Sequence, residues 1–416
     1  MLEDSWPVED KKLKVNVNHN MKQSVVIIGG NDAIMLGVMR AVGSCGYRVI
    51  IVHLEVRNRK GVSAQLDYYS RFVSSYYVCE KGNSKAILEL LLQLGREEAI
   101  KPVIITLDDF STTVIDKNLN QLGEYFLFEN IRYQEGAIVS LMNKHIQKQI
   151  AKSAGFDVVP GWPIMFEGGQ YIVPDDIEYP CFVKGLYSYN SKKKNQKKCN
   201  NADELTTLLE QCKEDNAAPM YAEPFMRMDK ELGVLGVCKK GEVAPLILSE
   251  LLVMGQGTYH GVSMFGKVSS LEPESKLAEC TQDLMSQLDY TGIFNLDIVE
   301  SNGQLFFVEL NFRYAAYGHA ACLAGYNIPV AFTQTMLENS ISEQAGGQIK
   351  TSYYFNDKIG LLSFIDKSIS FKEYCAFKRN ADYSLVRTWS DPKPSLLFFL
   401  RGIVLYIRSR ITRKAS

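Results

Sequence analysis

The sequence predicts a multidomain protein in which an α/β first part is followed by an α+β second part. Three observations carry this. Between residues 23 and 130, apolar strand runs alternate with helical stretches, the order that builds a mostly parallel sheet with helices on both faces. Beyond Glu135, strand follows strand around turns such as Lys240-Gly241, as in antiparallel sheets. Near the end of that part, GIFNLDIVESNGQLFFVELNFR (292–313) reads as a hairpin with one apolar face and one acidic face. At 416 residues the chain has the length for two or three domains.

Residues 1–22 read as a flexible polar tail, with Met21 as an alternative start. SVVII (24–28) is a buried strand leading into Gly29-Gly30-Asn31-Asp32 and a helical stretch to Cys45. RVIIVH (48–53) is the second strand, Asn83 caps a helix through Leu94, and PVIITL (102–107) leads to Asp108-Asp109. Ligands of such sheets bind beyond the carboxyl ends of the strands, which makes Gly30, Asn31, Asp32, Asp108 and Asp109 candidate substrate contacts. Tight turns and helix caps explain the same residues equally well. GGNDAIMLG lacks GxGxxG, so a dinucleotide site is poorly supported.

From Glu135 the character changes. Residues 136–156 read as one helix ending at Gly155, with Lys144 midway. VVPGW (158–162) is extended, and YPCFVKG (179–185) is a strand closed by Lys184. The loop 186–198 carries Lys192-Lys193-Lys194 and Lys197-Lys198, a solvated basic loop or a lid over polyphosphate. MYAEPFM (220–226), LGVLGVC (232–238) and VAPLILSELL (243–252) are further strands; 254–263 is glycine-rich, and 273–290 is a helix.

In the hairpin, Phe294, Leu296 and Ile298 point one way, Asn295 and Asp297 the other. Phe306, Val308 and Leu310 form the second strand's apolar face, and Glu309 and Asn311 lie opposite. A two-residue Asn-Gly turn would pair Asp297 with Val308 and mix the faces, so a three- or five-residue loop is expected. Two adjacent carboxylates repel unless a cation neutralises them. Hard oxygen ligands suit magnesium bridging phosphates, and Arg313 on the same face suits a phosphate or carboxylate. An isolated solvated hairpin would need no such explanation; the upstream Lys144 and Lys184 favour the functional reading.

Composition narrows the field. Hydrophobic content of 46% and charged content of 22% are those of a globular protein, and a net charge of −1 offers no general attraction for nucleic acid. The nine cysteines form no CxxC pair, which fits buried thiols in a reducing, cytoplasmic setting. The first apolar run, Val25–Ile28, is too short for a secretory signal.

The ordered combination of features over residues 23–340 resembles the ATP-grasp ligases. Its carriers are a lysine on a linking helix, a lysine ending a strand before a loop, a Glu-Pro-Phe strand and an acidic hairpin ending in Glu-x-Asn-x-Arg. IIGGNDAIMLGVMRA, LDYTGIFNLDIV, FFVELNFR and LAGYNIP look most similar to D-aspartate ligase and related amino-acid ligases of bacterial envelope biosynthesis. The resemblance implies a Rossmann-like pre-ATP-grasp domain (23–130) followed by an ATP-grasp domain (131–340) with a lid subdomain at about 158–235. It also implies ATP with two magnesium ions, manganese being an acceptable substitute. Lys144 and Lys184 would contact the phosphates, Glu223 and Phe225 the adenine hinge, and Glu231, or less readily Asp229, the ribose. Asp297, Glu309 and Asn311 would hold metal, and Arg313, with Lys184, would act on the transferred phosphoryl group. Tyr317 and His319 are weaker substrate candidates. Two departures stand out: Tyr187, Tyr189 and lysines replace the small residues of the usual lid, and Asp297 replaces the more usual Glu.

The implied chemistry is a carboxylate activated as an acyl phosphate and captured by an amine, with small-molecule partners and, as a further candidate, a saccharide or peptidoglycan precursor. A soluble dipeptide ligase is the alternative within the class; a non-catalytic nucleotide sensor or scaffold at the membrane is the alternative outside it. Residues 341–416 are expected as a C-terminal appendage. Within it, SLLFFLRGIVLYIRSRITRKAS reads as a basic amphipathic helix over 395–414, too interrupted to span a bilayer. It suits an anionic membrane interface at the inner face, packing on its own body, or a homodimer contact.

Overall fold

The computed structural model describes residues 22–30, 32–55, 62, 65–190, 195–214, 218–243, 246–255, 262–341 and 349–415. The expected tail, apart from Lys22, lies outside these residues, as do Asn31 and lysines 192–194. Asp32 opens a helix, but its side chain lies outside them too.

The first part contains β1 (Lys22–Gly29), α1 (Asp32–Gly43), β2 (Tyr47–Glu55), β3 (Val73–Glu80), α2 (Ser84–Glu97), β4 (Val103–Thr106), α3 (Asp109–Asp116) and α4 (Leu119–Leu122). Its strands form a parallel sheet in the order β3-β2-β1-β4. The continuous apolar run in β1 follows from burial on both faces: Val25 and Ile27 enter one core, Val26 and Ile28 another. Asn83 caps α2 as expected.

Next come β5 (Asn130–Ile131), α5 (Ala137–Leu141), α6 (Lys144–Ser153) and β6 (Asp157–Val158). The single helix expected over 136–156 is therefore two. The break has a tertiary cause: Ser188 N–H donates to Met142 O (3.2 Å) and Lys144 N–H to Leu186 O (3.0 Å). Asn143 then caps α6 through His145 N–H (3.0 Å) and Ile146 N–H (3.2 Å). Lys144 consequently sits in the first turn of α6, not at mid-helix.

A small antiparallel sheet follows, built from β7 (Trp162–Glu167), β8 (Gln170–Ile172), β9 (Cys181–Gly185), β10 (Lys197–Cys199) and β11 (Met220–Pro224), with α7 (Ala202–Glu214) packed on it. Its order is β10-β9-β11-β7-β8. The remaining strands are β12 (Lys230–Lys239), β13 (Glu242–Val243), β14 (Ile247–Met254), β15 (Ser263–Ser270), β16 (Tyr290–Ser301) and β17 (Gln304–Asn311), with α8 (Lys276–Leu288) between β15 and β16. Then come α9 (Gly318–Ala324), α10 (Ile328–Glu338), β18 (Ser352–Phe355), α11 (Asp357–Ile365), α12 (Phe371–Asn380), β19 (Tyr383–Ser384) and α13 (Pro392–Ala415). The large sheet runs β19-β18-β15-β14-β12-β16-β17-β6, so the segment after residue 341 contributes two of its strands.

The hairpin differs from expectation in its turn. Ser301 pairs with Gln304, leaving only Asn302 and Gly303 in the loop, with φ of +52° and +77°. Asp297 still pairs with Glu309, and Asn295 with Asn311, because the register shifts between Asp297 and Ile298. Val308 is the extra residue of a bulge. One consequence is that Phe307, not Phe306, enters the core with Phe294, Leu296, Ile298 and Leu310.

Candidate active site

The acidic face of the hairpin meets α6 and the small sheet. Gln147 fixes α6 to β17 as a further strand would: its Nε2 donates to Leu310 O and its Oε1 accepts from Leu310 N–H, both at 2.9 Å. Lys144 and Lys148, one turn apart on α6, share a face. Lys144 Nζ reaches Glu309 Oε1 (2.9 Å) and Ser188 Oγ (3.0 Å), and Ser188 Oγ donates to the same Glu309 oxygen. Lys148 bonds Val159 O (3.0 Å) and the Glu223 carboxylate. Lys184 at the end of β9 takes the other Glu223 oxygen at 2.7 Å. All three lysines are buried.

Lys148 is the member of this set that sequence reasoning missed. Its signal was present, since Lys144 and Lys148 are four residues apart on a helix, but spacing alone does not say which neighbour each reaches.

On the hairpin, Asp297 Oδ1 accepts from Asn295 Nδ2 (2.8 Å) and Oδ2 from Asn311 Nδ2 (2.9 Å). Arg313 donates through Nη2 to Asn311 Oδ1 (3.2 Å) and through Nε to Asp109 Oδ1 (2.6 Å), tying the hairpin to α3. Asp108 caps α3 through Ser111 N–H (2.8 Å) and also accepts from Gly30 N–H (3.1 Å) and Lys81 Nζ (3.0 Å). Both the cap and a loop-to-loop contact are thus realised.

Glu231 in β12 falls on the face shared by Gly233, the Cα partner of Asp297. Phe225 is half-exposed beneath Lys198, whose Nζ lies 4.4 Å from the ring centre. His319 is not brought to the set: it packs on Gly37 of α1, where a Cβ would meet its own at 2.8 Å. Burial lowers its pKa to about 3, which keeps it neutral.

The electrostatics follow from burial. Burial, then the neighbouring Glu309, pushes Asp297 up to about 6. Burial would raise Glu309 as well, but Lys144 and the Ser188 hydroxyl outweigh it and its pKa is lowered. Glu223 falls to about 2 because Lys184 and Lys148 together overcome its burial. For Lys148 the balance reverses: burial outweighs Glu223 and lowers it. Arg313 is raised, with Asp109 overcoming burial.

Four cationic groups (Lys144, Lys148, Lys184, Arg313) thus face four carboxylates (Glu309, Glu223, Asp297, Asp109). A polyphosphate with its magnesium ions is itself close to neutral and fits such a balanced set. Among the described residues no three His, Cys, Asp or Glu side chains gather as a metal site. Two carboxylates and an amide leave coordination positions to phosphate oxygens and water, which is how magnesium is usually held.

Residues 149–327 match the family model of the ATP-grasp domain. The chain carries an ATP-grasp domain. Solved structures agree on the fold. The L-amino acid ligase of Bacillus licheniformis matches with a TM-score of 0.58 at 14% identity, covering 80% of this chain and 79% of that one. N5-carboxyaminoimidazole synthetase of Staphylococcus aureus matches at 0.56 and 17%, covering 80% and 82%. The biotin carboxylase domain of Hydrogenobacter thermophilus 2-oxoglutarate carboxylase, solved with MgADP, ADP and bicarbonate, matches at 0.58 and 15%, covering 79% and 73%. The ATP-grasp match begins after Lys144 and Lys148 and includes Lys184, Glu223, Asp297, Glu309, Asn311 and Arg313.

Proposed function

We propose that the protein is an ATP-dependent carboxylate–amine ligase. The observation that carries this is the half-buried Asp297–Glu309 pair beside three buried lysines, a costly arrangement that magnesium and a triphosphate relieve. Asp297, Glu309 and Asn311 are the residues that would hold magnesium; Lys144, Lys148 and Lys184 would hold the phosphates. Phe225 and Glu223 would border the base, and Glu231 the ribose. Bound magnesium would neutralise charge on the phosphates during phosphoryl transfer.

In this reading Lys184 and Lys148, released from Glu223, bind phosphate oxygens. Arg313, held by Asp109, steadies the transferred group or the acyl phosphate. Gly30 and Asp108, with Asp109, would border the carboxylate and amine substrates. An amino acid is the expected acid and an envelope or saccharide precursor the expected amine. A soluble dipeptide ligase remains the second reading, supported by the fold shared with an L-amino acid ligase.

The test is ADP release from Mg-ATP across D- and L-amino acids with hydroxylamine as a surrogate amine. A hydroxamate formed with one acid, and lost in Glu309→Ala, is the expected result. ATP binding without ADP release under any acid or acceptor preparation would favour a nucleotide sensor instead.

Attachment to the inner face of a membrane belongs to the same proposal, and α13 supports it. No helix among the described residues is long and apolar enough to cross a bilayer. One face of α13 packs on the body: Gly402 meets Leu361, and Tyr406 stacks on Phe364 at 5.5 Å. The other leaves Phe399, Leu400, Ile403, Val404 and Ile407 between 42% and 62% exposed. Residues 392–416 contain six lysines and arginines and no acid, so an anionic lipid surface is the complementary partner. Co-sedimentation with anionic vesicles, lost with neutral ones and in Ile403→Glu, is expected. Dimerisation through this face without vesicle binding would replace the membrane reading.

A further inference from the structure

We propose that Asn295 and Tyr317 are positioning residues that fix the Asp297 carboxylate in the orientation a divalent cation needs. The inference rests on the ligase reading above. Asp297 is gripped on both sides by amides, Asn295 Nδ2 on one oxygen and Asn311 Nδ2 on the other. An asparagine amide can turn over and present oxygen instead of nitrogen, and two oxygens facing each other would repel. What prevents this is a donor on the amide's own oxygen. For Asn311 that donor is Arg313 Nη2 at 3.2 Å. For Asn295 it is the Tyr317 hydroxyl, which donates to Oδ1.

The fold makes room for this arrangement. Gly233 in β12 is the Cα partner of Asp297. A Cβ there would lie 2.4 Å from Tyr317 Oη, so a side chain at 233 would drive the phenol out. Tyr317 itself stands immediately before α9, whose packing on α1 holds that end of the chain. Asn295 is 4% and Tyr317 8% exposed. They act through Asp297 and not on a substrate. The chain of contacts runs from Tyr317 through Asn295, Asp297, Asn311 and Arg313 to Asp109, so both ends of the grip are anchored in other elements.

Partners behind a metal ligand typically set its affinity by about ten- to a hundredfold. The test measures manganese binding in the presence of ADP, read as the loss of the free-ion paramagnetic signal. Tyr317→Phe keeps the ring and removes one oxygen. It is expected to weaken manganese binding about tenfold while leaving metal-free ADP binding unchanged and lowering the melting temperature only slightly, through the one hydrogen bond lost. Asn295→Ala should weaken it similarly, and the double variant no further than the worse single, because both act through one contact chain. Gly233→Ala should reproduce the defect by displacing the phenol.

Unchanged manganese affinity in folded Tyr317→Phe overturns the proposal. So does a variant whose only change is a higher KM for the carboxylate substrate, since that makes Tyr317 a substrate contact. Failure of the unaltered protein to bind manganese with ADP overturns the ligase reading, and this inference with it.

Discussion

Replacing Lys148 by alanine removes a buried cation from the phosphate end of the site and leaves Glu223 with Lys184 alone. A hydrogen bond to a charged group contributes about 1.5–3 kcal/mol. The dissociation constant for ATP, measured by titration calorimetry, should therefore rise roughly ten- to a hundredfold. The pH response belongs to single residues too. Asp297 titrates at about 6 in the folded protein against an ordinary 3.8. Its contribution favours the metal-free fold fully below 3.8 and is lost as pH rises through 6. Metal binding needs the ionised form, so manganese affinity should fall as pH drops below about 6. Glu223, held at about 2 against 4.5, acts in the opposite sense. Its contribution is present above 4.5 and lost as pH falls toward 2. Acid titration of the metal-free protein by circular dichroism separates the two windows.

At the scale of elements, the hairpin of β16 and β17 shows how a short turn and a bulge together do what a longer loop would. Asn302 and Gly303 both have positive φ, the geometry that suits a two-residue hairpin turn. Val308 then absorbs one residue and returns Glu309 to the side of Asp297. Nothing lies within 4 Å of a Cβ added at Gly303. Gly303→Ala should therefore cost only the backbone strain of the left-handed region, about 1–2 kcal/mol, read from urea unfolding, without changing metal affinity. A variant that also lost metal affinity would show the turn, and not the bulge, to be setting the register. The break between α5 and α6 is the parallel case. Backbone groups of Met142 and Lys144 pair with the segment 186–188, and Asn143 supplies the cap.

At the scale of the whole molecule, the C-terminal segment is fastened to the first sheet's layer. Arg40 in α1 donates through Nε to Asp391 Oδ2 (3.0 Å), through Nη1 to Val386 O (2.7 Å) and through Nη2 to Asp391 O (3.2 Å). Ser70 Oγ (2.7 Å) and Arg71 N–H (3.1 Å) complete the Asp391 carboxylate. Arg40 and Asp391 are 5% and 1% exposed. Asp391→Ala leaves a buried guanidinium without its counter-ion, and breaking such a pair costs about 3–5 kcal/mol. The variant should show a lower urea midpoint and easier proteolytic removal of α13. A midpoint equal to that of the unaltered protein would mean that α13 is held by its apolar packing alone.

The local chemistry of the chain determined a good deal by itself. A continuous apolar run marked β1 as a buried strand. Period-two alternation placed Asn295, Asp297, Glu309 and Asn311 on one side of a hairpin, and that grouping is observed. Lys184 at a strand end and Asn83 at a helix cap were equally readable, because each depends on residues within a turn or a strand of itself. Tertiary structure decided the rest. Whether Lys144 or Lys148 meets Glu223 depends on how α6 is seated against β17 by Gln147. The bulge at Val308 exists because the acidic face and the core face must both be satisfied at once, and β6 and β12 fix where. His319 was drawn toward the site by proximity in sequence, yet α9 carries it to α1. Such placements depend on contacts between distant segments, which local pattern and spacing do not encode.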